Sequence, residues 1–78
     1  MPVLTLRIDP GGRVVASGGH DGAVRLHDLE SGRLLGTLAF HSAPVGALAW
    51  AGEILASGDT GGRLALWDVG RPAGSGEP

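Results

Sequence analysis

Cysteine, lysine, asparagine, glutamine and tyrosine are all absent from this 78-residue chain. Without cysteine there is no disulfide framework, no thiolate zinc ligation and no thiol nucleophile. Positive charge is also scarce: six arginines face eight acidic residues, for a formal net charge of -2. They form no basic cluster, so a surface that tracks nucleic-acid phosphates is excluded. The aromatic side chains are Phe40, Trp50 and Trp67, too few for a base-stacking ladder. No apolar run approaches the roughly 20 residues of a membrane-spanning helix. The start Met1-Pro2-Val3-Leu4-Thr5 lacks the basic head and long apolar stretch of a secretory signal. The expectation is a soluble, cytoplasmic chain with no membrane partner. Missing lysine and amides beside abundant Gly, Ala, Arg and Pro read as nucleotide bias, since heat adaptation would enrich lysine.

At this length a chain forms one small domain at most and buries only about 60% of its unfolded surface. It is marginal alone, and with no covalent staple available further stability has to come from association.

What the sequence does have is an internal repeat. The segment ASGGHDGAVRLHD at 16–28 returns 40 residues later as ASGDTGGRLALWD at 56–68, with six identities including Ser17/Ser57, Gly18/Gly58, Gly22/Gly62 and Asp28/Asp68. Upstream, 3–8 matches 45–50 at an offset of 42, because the turn at 9–13 is two residues longer than that at 51–53. A period near 40 suits four-stranded blades or helical arrays. The local pattern decides between them. Leu4, Leu6 and Ile8 alternate with Thr5 and Arg7, and Val24 and Leu26 alternate with Ala23, Arg25 and His27, the period of strands. Gly and Pro clusters between these runs supply hairpin turns. The reading is all-β and antiparallel, with strands at 3–8, 14–18, 23–28, 34–40, 45–50, 54–58 and 63–69. The Gly- and Pro-rich residues 70–78 are expected to be a flexible tail. Strand 63–69 then lacks an outer neighbour.

Leu66-Trp67-Asp68, the preceding Ala56-Ser57-Gly58 and Phe40-His41 before Val45 resemble the WD-repeat β-propeller family. The resemblance covers residues 3–69 and divides them into a four-stranded blade at 3–40 and an incomplete, three-stranded blade at 41–69. It implies a hydrogen-bonded tetrad of His, Ser or Thr, Asp and Trp in each blade. In the second unit the matching positions are His41, Ser57, Gly61 and Trp67, so the Asp is missing. In the first they are Ser17, Asp21 and His27, with His27 in place of Trp and the first position falling before Met1. A carboxylate restored by Gly61→Asp is therefore expected to raise the melting midpoint.

The sharper chemistries are disfavoured. His20, Asp21, His27 and Asp28 contain metal-ligand atoms, but they fall at a turn and along a strand, with structural roles available to each. No metal and no cofactor are expected. Ser17 and Ser57 lack the G-x-S-x-G elbow of a hydrolase. Gly11-Gly12 and Gly61-Gly62 lack the P-loop lysine and helix. Asp21, Asp28, Asp59 and Asp68 lie at turns or strand ends, where carboxylates serve structure.

These readings converge on a non-catalytic protein-interaction scaffold forming part of a larger propeller, with a protein or peptide partner. Candidate partner-binding residues are the loop positions His20, Asp21, His41, Ser42, Asp59 and Thr60. Arg7, Arg25 and Arg63 lie on polar strand faces. Two units fall short of the roughly four to eight blades of a closed ring, so further blades or copies of the chain are required. The alternative is a self-assembling partial propeller that binds a small ligand or glycan. The cullin-adaptor pattern W-D-x-R, which the family also implies, fails because Gly70 stands where it needs Arg and Arg71 comes one residue late.

Overall fold

A computed structural model describes residues 2–69. Seven strands follow one another as β1 (Val3–Ile8), β2 (Val14–Gly19), β3 (Ala23–Asp28), β4 (Leu34–Ala39), β5 (Val45–Ala51), β6 (Ile54–Asp59) and β7 (Leu64–Asp68). They form two antiparallel meanders, a four-stranded sheet in the order β1-β2-β3-β4 and a three-stranded sheet in the order β5-β6-β7. The tail expected at 70–78 lies outside the described residues.

Glycine makes the hairpins possible. Gly12, Gly22, Gly32, Gly52 and Gly62 all adopt positive φ, a region that side-chain-bearing residues avoid. Aspartates finish the turns. Asp9 Oδ1 accepts the N–H groups of Arg13 and Val14, and Asp28 Oδ2 accepts both the N–H and the hydroxyl of Ser31. These donors hold both carboxyls below the usual range, chiefly through Val14 N–H at Asp9 and the Ser31 hydroxyl at Asp28.

The repeat survives at the level of single bonds. His20 N–H donates to the Pro2 carbonyl as Thr60 N–H does to that of Pro44, and Leu29 N–H to Arg13 as Val69 N–H to Glu53. The register slips at the same place in both first hairpins, between Val3 and Thr5 and between Val45 and Ala47.

β5 packs across β1 and β2, and the core lies between the sheets. Ala16, Val24 and Leu26 from one meet Val45, Leu48 and Leu55 from the other. Val24, Val45 and Leu55 are fully excluded from solvent, each stabilising the fold by about 1.5–3 kcal/mol relative to exposure. Trp50 Nε1–H crosses the interface to the Arg7 carbonyl at 3.3 Å.

One consequence of the period-two pattern is visible in β1. Leu4, Leu6 and Ile8 are about half exposed, while Thr5 on the opposite face lies toward Val45 at Gly18. The apolar side of β1 thus points away from the second sheet, and two sheets alone leave it uncovered.

Candidate functional site

The three turns β2–β3, β4–β5 and β6–β7 converge on one end of the molecule. Gly22 sits so close to the His41 carbonyl that a Cβ there would clash, and Thr60 N–H donates to Pro44 at 3.0 Å. His20, Asp21, Ser42 and Thr60 are exposed on this rim.

Beneath the rim lies a buried polar network. His41 Nδ1 is 2.7 Å from Asp59 Oδ2, His41 Nε2 is 2.7 Å from Ser57 Oγ, and Trp67 Nε1–H donates to Ser57 Oγ at 2.9 Å. With the ring proton on Nδ1, every donor meets an acceptor: indole to hydroxyl, hydroxyl to imidazole, imidazole to carboxylate. Asp59 Oδ1 also accepts the N–H groups of Gly61 and Arg63. The Arg63 N–H is the largest influence holding the Asp59 carboxyl below its usual 3.8, with the His41 contact acting in the same direction against burial. Phe40 lies edge-on to both rings, its centroid 4.9 Å from His41 and 6.2 Å from Trp67.

The second unit therefore has its carboxylate, contrary to the expectation of a missing Asp at residue 61. Asp59 supplies it. Side chains two apart on a strand share a face, so Ser57 and Asp59 at the end of β6 both reach His41, whereas Gly61 is already in the turn. The same geometry corrects the partner-loop reading for His41 and Asp59. Their side chains are 0% and 1% exposed and face each other rather than a partner.

Among the described residues the first unit has no such network. Ser17 Oγ–H donates to the Arg25 carbonyl at 3.4 Å, and Asp21 pairs with the Arg25 guanidinium at 2.7 Å, which lowers its carboxyl to about 2. Gly19 occupies the place equivalent to Asp59, so Ser17, Asp21 and His27 are not drawn together.

Serine, histidine and aspartate in this order share the connectivity of a hydrolytic triad. Ser57, however, is fully buried and its hydroxyl oxygen already accepts the Trp67 indole. Among the described residues, one surface depression is lined by residues including Asp9, Arg13, Trp50 and Glu53 and another by Ala47, Gly58 and Leu64, and Ser57 lines neither. Among the described residues no group of three or more His, Asp or Glu side chains is placed to hold a metal ion.

Antiparallel meanders packed face to face, with a His-Ser-Asp-Trp network at one end, define a pair of propeller blades. The family model for the anaphase-promoting complex subunit 4 WD40 domain matches residues 1–53, and the chain belongs to the WD40-repeat family. It is 34% identical over 76 residues to periodic tryptophan protein 2 homolog of Schizosaccharomyces pombe, covering 94% of this chain and 9% of that protein. It is 32% identical over 68 residues to guanine nucleotide-binding protein subunit beta-like protein 1 of Mus musculus, covering 86% of this chain and 21% of that one. Among solved structures, a chain of the mitotic checkpoint complex superposes with a TM-score of 0.85 at 33% identity, over 88% of this chain and 21% of that chain. The computationally designed Ika4 protein gives a TM-score of 0.78 at 28% identity, over 86% of this chain and 41% of its own. The chain spans less than a quarter of the length of these two natural relatives.

Proposed function

We propose that the chain is a non-catalytic interaction module, part of a larger propeller, whose contact surface is the rim carrying His20, Asp21, Ser42 and Thr60. The observation that carries this reading is the division of labour at that end of the molecule. His41, Ser57, Asp59 and Trp67 are consumed by one another beneath the surface, while the turns they brace present exposed polar side chains. Recognition is commonly placed on loops held by a rigid scaffold, because little conformational entropy is then lost on binding. A buried hydroxyl with its hydrogen bonds satisfied is poorly placed to attack a substrate, which favours binding over hydrolysis. A chain of the mitotic checkpoint complex shares the fold.

The test is selection of a displayed peptide library on the full chain, followed by rebinding to His20→Ala and Thr60→Ala variants. Peptides that lose affinity for these variants but not for Glu53→Ala, at the opposite end, are expected. A library yielding no binders, or binders indifferent to the rim substitutions, counts against the reading.

A further inference from the structure

The two sheets present four broad faces, of which, among the described residues, two meet in the core and two stay open. The repeat relates the open pair to the closed pair. Val3, Leu6 and Val15 on the open face of the first sheet are the counterparts of Val45, Leu48 and Leu55, and Leu64 and Leu66 on the open face of the second are the counterparts of Val24 and Leu26. The closed set is 0–8% exposed, whereas Leu64 and Leu66 are 75% and 73% exposed and Val3 and Leu6 are 60% and 51%.

Glycine marks the contact in detail. At Gly18 a Cβ would stand 2.5 Å from Val45 Cγ1, so the absence of a side chain is what lets Val45 seat against β2. Gly58 is its counterpart, yet nothing from the first sheet lies within 4 Å of a Cβ placed there, and its nearest neighbours all belong to the second sheet and its turn, Leu64 at 3.5 Å, the Arg63 carbonyl at 3.9 Å and Ala47 at 4.0 Å. A depression of about 270 Å³ opens there, lined by Ala47, Gly58 and Leu64 among others. Gly58 is thus a socket with no knob, and Val3, equivalent to the knob Val45, is a knob with no socket.

We propose that a second copy of this chain fills the vacancy head to tail, Val3 of one copy entering the Gly58 depression of the next while Leu64 and Leu66 cover Leu6 and Val15. The core between the sheets already displays the geometry of this contact, so the open faces continue an existing interface. The interface is heterologous, joining two different surfaces, and closes into a ring when the rotation allows. If each copy contributes the two described blades, closed propellers of roughly four to eight blades correspond to about two to four copies.

The proposal rests on the blade reading of the two sheets and not on any rim partner. The experiment is native mass spectrometry with sedimentation on the full chain over a range of concentrations. A discrete species of about two to four chains is expected. Gly58→Val, which fills the socket, and Val3→Glu, which spoils the knob, are each expected to abolish it while keeping the β-sheet circular dichroism. Mixed together, the two variants retain one competent pair of faces and are expected to give a 1:1 dimer. Leu66→Glu with Leu6→Glu makes a second such pair should either substitution prevent folding. A chain that stays monomeric at every concentration overturns the proposal, as does an assembly that survives both substitutions or a mixture that fails to pair. A monomer that still binds peptides through its rim would leave the scaffold reading standing while removing this one.

Discussion

His41 Nδ1 and Asp59 Oδ2 stand 2.7 Å apart with both side chains out of solvent, joining the β4–β5 connection to the end of β6. The other ring nitrogen is held by Ser57, and Ser57 by Trp67, so four side chains from a connection and two strands form one hydrogen-bonded chain.

Ser57 is the centre of that chain. Replacing it with alanine removes an acceptor from the partly buried Trp67 indole and a donor from the buried His41 at once. Ser57→Ala is expected to destabilise the folded form by about 1–3 kcal/mol, the range for leaving buried polar groups unsatisfied. Denaturant unfolding followed by tryptophan fluorescence measures it. The equivalent Ser17→Ala, which loses only a long bond to a backbone carbonyl, is expected to cost less.

Acid should act through Asp59. Its folded carboxyl lies below the usual 3.8, mainly because the Arg63 N–H and then His41 favour the charged form. A depressed acid contributes stability that is fully present above its unfolded value and is lost as pH falls through the folded one. The melting midpoint is therefore expected to fall as pH drops below about 4, and to fall less in Asp59→Asn. Asp21 is depressed to about 2 by Arg25, but this pair is exposed and screened by solvent. Asp21→Asn is expected to leave the acid profile nearly unchanged, as scanning calorimetry over a pH series will show.

Gly61→Asp, expected from the sequence to complete the tetrad, is now expected not to raise the melting midpoint. The carboxylate position is already filled by Asp59, and a Cβ at Gly61 would stand 3.2 Å from Asp59 Oδ1, setting one acid beside another. A thermal melt of this variant that rises above the parent would show that Asp59 does not hold the role described for it.

Gly22 and Gly62 are equivalent in sequence and share positive φ, 86° and 90°, but only Gly22 is pressed by the His41 carbonyl. Both alanine variants carry backbone strain of about 1–3 kcal/mol. Gly22→Ala adds a steric clash with backbone, so its loss of stability is expected to exceed that of Gly62→Ala when the two are compared by urea titration.

The strands were legible because Leu4, Leu6 and Ile8 alternate with polar neighbours and because Gly-rich punctuation separates each run. The repeat of Ser17 at Ser57 and the Trp67-Asp68 pair pointed to the blade. Asp59 is not legible from the turn, where the family pattern falls on residue 61, because the network selects by strand face, on which residue 59 lies with Ser57. The bond from Trp50 to the Arg7 carbonyl was equally invisible, since it joins residues 43 apart through a packing geometry that no local pattern encodes. Nor does alternation in β1 reveal which of its two faces meets the neighbouring sheet.

The grip on residue 41 from both sides has a kinetic meaning. Its carbonyl is flanked by Gly22 of one hairpin and its ring is bound to β6 of the other. Neither sheet can open at this end without loosening its neighbour. Amide hydrogens at the cores of β2 and β6 should therefore exchange with solvent deuterium at closely matched rates, and a single cut in the peptide between Phe40 and Val45 should quicken both together.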